Sequence, residues 1–154
     1  MAARIVTRNP EQDPSLSSKP QPDRSTELQH LAEAACHRSY APYSRFHVGA
    51  AILLESGDVV TGCNVENASY RLTTCAEQNA IAAAVAKYGP AIRIRAVAVA
   101  NLAKAPCQPC GACRQTIAEF ADRDAVISFP GDDGLTVRRT LSELLPAAFE
   151  LKEL

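Results

Sequence analysis

Neither sign of charge is in excess in this chain, where Lys and Arg total 16 against 17 Asp and Glu. That balance leaves no basic footprint for a polynucleotide, so no nucleic-acid partner is expected. No window reaches the eighteen or so apolar residues that span a bilayer, so no membrane partner is expected either. The amino terminus, MAARIVTRNPEQDPSLSSKPQP, has two arginines but lacks the apolar stretch of a secretory signal. Glu11 and Asp13 come too early for a typical transit peptide, and the cytoplasm is the expected compartment. Cysteine is sparse for a disulfide scaffold, at six in 154 residues. Three of the six crowd into Cys107 to Cys113, a spacing that suits metal binding in a reducing compartment better than cross-linking. No segment repeats.

What is present is enough for one hydrophobic core, since apolar residues make up 47% of the chain. Residues 1–24, rich in Pro, Ser, Gln and Asp, are expected to form a flexible tail. Residues 25–154 are expected to form a single domain. A helix capped by Ser25 or Thr26 follows the tail, with Leu28, Leu31, Ala32 and Ala35 as its apolar stripe, and Ala41-Pro42-Tyr43-Ser44 ends it. Phe46 to Leu54 and Val59 to Cys63 read as strands about the turn Ser56-Gly57-Asp58. Cys63 to Asn67 continues into a polar loop, Ala68 to Thr73, and an alanine-rich helix then runs from about Thr74 to Lys87 and stops at Gly89-Pro90. Ile92 to Val99 is a strand, Cys110 to Phe120 a helix, and Ala125 to Phe129 a buried strand. Leu135 to Arg138 is a short strand, and Leu141 to Leu145 a closing helix. This order predicts an α/β, α-β-α layered fold, with helices on both faces of a mixed five-stranded sheet.

The chemistry is concentrated in Pro106-Cys-Gln-Pro-Cys-Gly-Ala-Cys-Arg-Gln115 and in Thr74-Cys-Ala-Glu77. Two cysteines spaced as Cys-x-x-Cys at a helix start reach one ion, and the helix dipole there favours the thiolates a metal needs. Cys75, at a second helix start, supplies a third ligand. Three protein ligands leave a tetrahedral zinc one open position for water, whereas a fourth thiolate closes the site. The residues alone leave three arrangements open. Cys75, Cys110 and Cys113 with water make a catalytic site, and adding Cys107 makes a closed zinc or iron-sulfur site. The third possibility is cysteines that are inert or redox-active. Cys36 and Cys63, isolated in apolar settings, read as core. Glu77 favours the first arrangement, because a carboxylate beside an activated water moves protons. Arg114 directly follows the third cysteine, and a guanidinium donating to a thiolate would offset the negative charge of three sulfurs on Zn2+.

These motifs, together with four others, make the chain resemble the small homotetrameric cytidine deaminases over roughly Leu28 to Leu154. The others are Tyr40-Ala-Pro-Tyr-Ser-Arg-Phe46, Val48-Gly-Ala-Ala51, Gly62-Cys-Asn-Val-Glu-Asn-Ala-Ser-Tyr70 and Leu144-Leu-Pro-Ala-Ala-Phe149. The resemblance implies one Zn2+ per subunit on Cys75, Cys110 and Cys113, with Glu77 as the proton shuttle. It implies that Asn64 and Glu66 hold the ribose, Phe46 lies under the pyrimidine and the Ala76 amide contacts the base. It further implies that Phe149 reaches a neighbouring subunit's site, in a tetramer with shared active sites, and that Tyr70 stands near the active-site entrance or a subunit contact. Without the resemblance, either phenylalanine reads as core before ligand platform, and Asn64 and Glu66 suit a sugar hydroxyl as well as they suit a plain polar loop. The implied activity is hydrolysis of cytidine and 2′-deoxycytidine to uridine and 2′-deoxyuridine, a step of pyrimidine salvage.

Two positions depart from the family pattern. Gln78 stands where the family usually has an arginine, so it brings no positive charge to the thiolates and leaves more of the compensation to Arg114. Cys107 creates a second, overlapping Pro-Cys-x-x-Cys register. The rival readings are a blasticidin-type drug deaminase, a deaminase of bases or nucleic acid, and a non-catalytic zinc-stabilised binding protein of the same fold. Asn64-Val-Glu66-Asn67-Ala-Ser-Tyr70 favours a free nucleoside over the drug, and turnover separates an enzyme from a binding protein.

Overall fold

Apolar residues run almost unbroken along the central strands, and the two-residue period of a strand sends them into two separate layers. The structure, a computed structural model, describes residues 23–151. Helix α1 (Ser25–Cys36) precedes the hairpin β1 (Val48–Leu54) and β2 (Val59–Cys63). A single 3-10 turn at Tyr70–Leu72 leads to α2 (Ala76–Tyr88), β3 (Ile94–Asn101) and α3 (Gly111–Phe120). The chain continues through β4 (Ala121–Pro130), β5 (Thr136–Thr140) and α4 (Leu141–Leu144). The strands lie side by side in the order β2-β1-β3-β4-β5. Only β3 and β4 run parallel; the other neighbours are antiparallel.

Side chains of successive strand residues point to opposite faces, so each central strand serves two cores. Ala50, Ile52 and Leu54 of β1, Val97 and Val99 of β3, and Ile127 and Phe129 of β4 face α2, α3 and α4. Ala51, Leu53, Ala98 and Ala100 face α1 together with its Leu28, Ala32 and Cys36. This is the predicted mixed sheet with helices on both faces. Ile52, Ile117 and Ile127 are fully enclosed in the larger layer, and burial of each side chain contributes about 1.5–3 kcal/mol. The α1 face is lined by small residues because the helix lies close: a Cβ on Gly49 would stand 2.1 Å from the Ala32 carbonyl oxygen.

Several boundaries differ from the sequence expectation. The residue capping α1 is Arg24 rather than Ser25 or Thr26, and the Asp23 carboxylate accepts from the Ser25 amide at 2.9 Å. An acid placed there also complements the helix dipole. The helix ends at Cys36, before Pro42 can act, in a turn where the Arg38 and Ser39 amides donate to the carbonyls of Ala35 and Cys36. Phe46 precedes β1 rather than opening it. Strand β4 starts four residues before Ala125, because Ala121 pairs with Ile94 ahead of a register shift that leaves Asp122 to Asp124 exposed. The expected tail, residues 1–24, lies outside the described residues up to position 22, and so do residues 152–154 of the expected domain. Arg24 binds the Glu27 carboxylate and donates to the Gly57 carbonyl at 2.6 Å. Among the described residues no helix is long and apolar enough to cross a membrane.

Candidate metal centre and active site

Two helices begin beside one another on the larger core, and each begins with a cysteine. Cys75 is the residue that caps α2, and Cys110 caps α3; both have the extended backbone usual at that position. Their sulfurs are 4.0 Å apart. Cys113, one turn into α3 and fully enclosed, places its sulfur so that all three lie within 4.8 Å of one another. Its amide donates to the Cys110 sulfur at 3.4 Å. Tetrahedral zinc with Zn–S bonds of 2.3 Å would set sulfurs about 3.8 Å apart. The donor set therefore fits zinc in both chemistry and spacing.

The thiols are unequal. The hydrogen bond from Cys113 lowers the Cys75 pKa to about 7 against its partial burial. That same bond, and then burial, pushes Cys113 well up. Metal binding requires the thiolate form of all three, so a cation must displace their protons. Cys107 is outside the trio of sulfurs. It is packed on the core, its amide donates to the Pro130 carbonyl at 3.0 Å, and burial raises its thiol to about 11. The four-cysteine closed arrangement is therefore not the one assembled. Cys107→Ser is expected to keep one metal ion per chain by metal analysis, and loss of the metal would return Cys107 to the ligand set.

Glu77 shares the first turn of α2 with Cys75. It is only 4% exposed, and burial raises its pKa. Ala76, at the first helical position, is fully buried. Gln78 completes the start of α2 from the side, its Oε1 accepting from the Cys75 amide at 3.4 Å. Arg114 does not make the expected hydrogen bond to a sulfur among those the described residues form. Its Nε donates to the Pro109 carbonyl at 2.8 Å and Nη1 to the Leu144 carbonyl at 3.0 Å, tying the cysteine loop to the end of α4. Any compensation of thiolate charge from there acts through space.

The polar loop reaches the same end of the sheet. Val65 exchanges two hydrogen bonds with Thr74, each 3.0 Å, while the Glu66 amide donates to the Tyr40 carbonyl at 2.8 Å. Asn64 uses both ends of its amide internally, accepting from the Val48 amide at 2.8 Å and donating to the Phe46 carbonyl at 2.9 Å. The Glu66 carboxylate accepts from the Ser44 hydroxyl and from the amides of Tyr43 and Ser44. These bonds, the hydroxyl first, hold its pKa below the usual carboxylate range. Arg45 closes this loop at φ 57°, a left-handed conformation uncommon for a residue with a side chain.

Phe46 is half-buried, whereas Phe149 is 70% exposed and therefore not core. The backbone of Phe149 is pinned by Gln115, whose Nε2 donates to its carbonyl at 2.8 Å and whose Oε1 accepts from its amide at 3.1 Å. Sequence reading missed this Gln115 contact, and Ser44 as a partner of Glu66; only their places inside quoted motifs hinted at either. Tyr70 stands 83% exposed. A cavity of about 430 Å3 lies elsewhere, over β3 and β4 near Arg24, Leu28 and Arg138, and none of these candidate residues lines it.

A family model described as the cytidine and deoxycytidylate deaminase zinc-binding region matches residues 22–129. The chain is 45% identical over 117 residues to a cytidine deaminase of Halalkalibacterium halodurans, covering 75% of this chain and 86% of the relative. It is 44% identical over 124 residues to a cytidine deaminase of Mycobacterium tuberculosis, covering 80% and 87%. The crystal structure of cytidine deaminase from Burkholderia pseudomallei superposes with a TM-score of 0.73 at 41% identity, covering 81% of this chain and 98% of that one. A blasticidin-S deaminase of Bacillus cereus is more distant, at 29% identity over 128 residues.

Proposed function

Since this chain belongs to the zinc-binding cytidine and deoxycytidylate deaminase family, we propose that it removes the exocyclic amine of cytidine and 2′-deoxycytidine. Water is consumed, uridine or 2′-deoxyuridine is formed, and ammonia is released. The observation that carries this reading is three sulfurs within 4.8 Å of one another, with a buried glutamate on the same helical turn as the first. Closer identity to cytidine deaminases than to the blasticidin enzyme supports the free nucleoside as substrate.

Cys75, Cys110 and Cys113 would hold one zinc ion. When bound, the metal supplies a water of lowered pKa and a positive charge beside the reacting carbon. Glu77 does the proton work. Its carboxylate takes the first proton of the attacking water and delivers it to N3 of the ring as the oxygen bonds to C4. It then carries the remaining hydroxyl proton to the amine. The C4–N bond breaks, ammonia leaves, and the C4 carbonyl forms with N3 protonated. Burial suits this role: a carboxylate with a raised pKa takes a proton from water more readily than an exposed one does.

The Ala76 amide, at the head of α2, donates towards the base, and Phe46 lies against the ring. Asn64 and Glu66 orient the ribose, which requires Glu66 to exchange some of its bonds to Ser44 and Tyr43 for a sugar hydroxyl. The Phe149 ring is 70% exposed, and an exposed ring tethered through its backbone by Gln115 suits insertion into a neighbouring subunit's site. That arrangement, with Tyr70 near the entrance, supports a homotetramer with shared active sites. Arg114, and Gln78 through the cap of α2, steady the thiolate end. The expected setting is pyrimidine salvage in the cytoplasm.

The test is initial-rate deamination of cytidine by the zinc-replete protein, followed by the ultraviolet change from cytosine to uracil. Turnover on the order of 1 per second or faster is expected. No turnover on either nucleoside, with zinc in place, would favour a non-catalytic binding protein or a modified cytosine as substrate.

A further inference from the structure

The three sulfurs and Glu77 meet only if the first turn of α2 is held at one place, and β2 holds it at two adjacent residues. A Cβ on Gly62 would stand 2.4 Å from the Ala80 amide nitrogen and 2.5 Å from the Ala76 carbonyl oxygen. Both are backbone atoms, so no side-chain rotation could make room. The next residue along the strand, Cys63, offers its carbonyl to Asn79 Nδ2 at 2.8 Å. The same nitrogen lies 2.9 Å from Thr74 Oγ1, one residue before Cys75. The Asn79 amide closes the turn by donating to the Cys75 carbonyl at 3.1 Å. Strand, cap and helix are thus joined around Cys75 and Glu77 by residues that carry no chemistry themselves.

We propose that Gly62 and Asn79 are positioning residues for the deaminase site, setting Cys75 and Glu77 against Cys110 and Cys113. The inference rests on the reading of Cys75 as a ligand and Glu77 as the proton carrier. Gly62 allows α2 to press backbone to backbone on β2. Asn79 fixes how far the helix slides along the strand, because it bonds to the strand and to the residue leading into the cap. Gly49 is the internal comparison. It seats α1 with equal closeness, 2.1 Å from the Ala32 carbonyl oxygen and 2.7 Å from the Cys36 amide nitrogen, and α1 carries no candidate site residue.

The experiment compares Asn79→Ala, Gly62→Ala and Gly49→Ala by three readouts: the thiolate-to-metal absorption of the cobalt(II)-loaded protein, zinc release to a chelator, and kcat and KM for cytidine. Asn79→Ala is expected to release zinc or to lose kcat by about 10- to 100-fold, as for residues that orient metal ligands, with KM near the wild-type value. Gly62→Ala displaces the turn by roughly an ångström and is expected to lose about 100-fold in kcat, with an altered cobalt spectrum. Gly49→Ala is expected to lower Tm while keeping the spectrum and kcat. A wild-type spectrum, zinc release rate and kcat in Asn79→Ala would overturn the proposal. So would a cobalt spectrum changed as much by Gly49→Ala as by Gly62→Ala. If Gly62→Ala does not fold, Asn79→Ala decides. A wild-type chain that binds cobalt through its thiolates but leaves cytidine untouched defeats the deaminase reading instead, and the spectral comparison still tests the positioning.

Discussion

Glu77→Gln is expected to lower cytidine turnover by about 10^3- to 10^4-fold, close to the upper contribution of a single acid–base group. Glutamine keeps the shape of the side chain and fills the same enclosed space, so the fold and the zinc content should be retained. What it loses is the ability to accept a proton and pass it on, which Glu77 does twice in each cycle. KM should change little, because the substrate contacts come from the loop about Asn64 and Glu66 and from the aromatic residues. Stopped-flow or steady-state rates at matched zinc content make the measurement, and a zinc-loaded variant with near-normal kcat would end the assignment of Glu77. Stability gives an independent check. Burial raises the Glu77 pKa, so the folded metal-free chain binds more protons than the unfolded one, and stability falls as pH rises through the unfolded value. Glutamine does not titrate, and the metal-free variant should therefore melt no lower than the wild type at neutral pH.

Cys113→Ser is expected to abolish both stoichiometric zinc and turnover. The residue is fully buried and lies one turn into α3, and among the described residues only Cys75 and Cys110 join it as donors. Zinc bound to the folded state alone stabilises it by mass action, and zinc held by such thiolate sets contributes on the order of 10 kcal/mol. Removing the metal from the wild type with a chelator should then lower its Tm by many degrees. The same chelator should leave the Cys113→Ser melting curve unmoved, because there is no bound ion to withdraw. Stoichiometric zinc in purified Cys113→Ser would show that the ligand set is wrong and would turn attention to Cys107. The two variants separate the two halves of the site: one keeps the ion and loses the proton transfer, and the other loses the ion itself.

Much of this arrangement was legible in the chain because periodicity and punctuation agree locally. The Val59 to Cys63 strand is legible to the residue, and the order of the helices and strands among the described residues follows from apolar runs broken by Gly57, Gly89-Pro90 and Gly131 to Gly134. The cysteine spacing showed that an ion site was present, and its assembly from two helix starts followed from the Cys-x-x-Cys and Cys-Ala-Glu motifs. Long-range features were not legible. The early start of β4 depends on Ala121 finding Ile94 across the sheet, which no local pattern announces. Arg114 was expected to reach a sulfur because it adjoins Cys113, yet its planar fork finds two carbonyls, one of them thirty positions away at Leu144. The separation of Cys107 from its neighbours is likewise tertiary: three cysteines at equal spacing look alike until one amide pairs with Pro130 and the chain turns.

The single parallel pairing in the sheet, between β3 and β4, also bears on the order in which the protein matures. Hairpins close locally and quickly, but parallel strands need a crossover and form late. Until β3 and β4 are side by side, Cys75 is separated from Cys110 by an open chain, and only the closely spaced Cys107, Cys110 and Cys113 are near enough to share an ion. A nascent chain would therefore hold zinc weakly through this local stretch and firmly only after the crossover has docked. Tight metal retention becomes a marker of completed folding, and the time course of chelator resistance during refolding should track the slowest structural phase rather than the first.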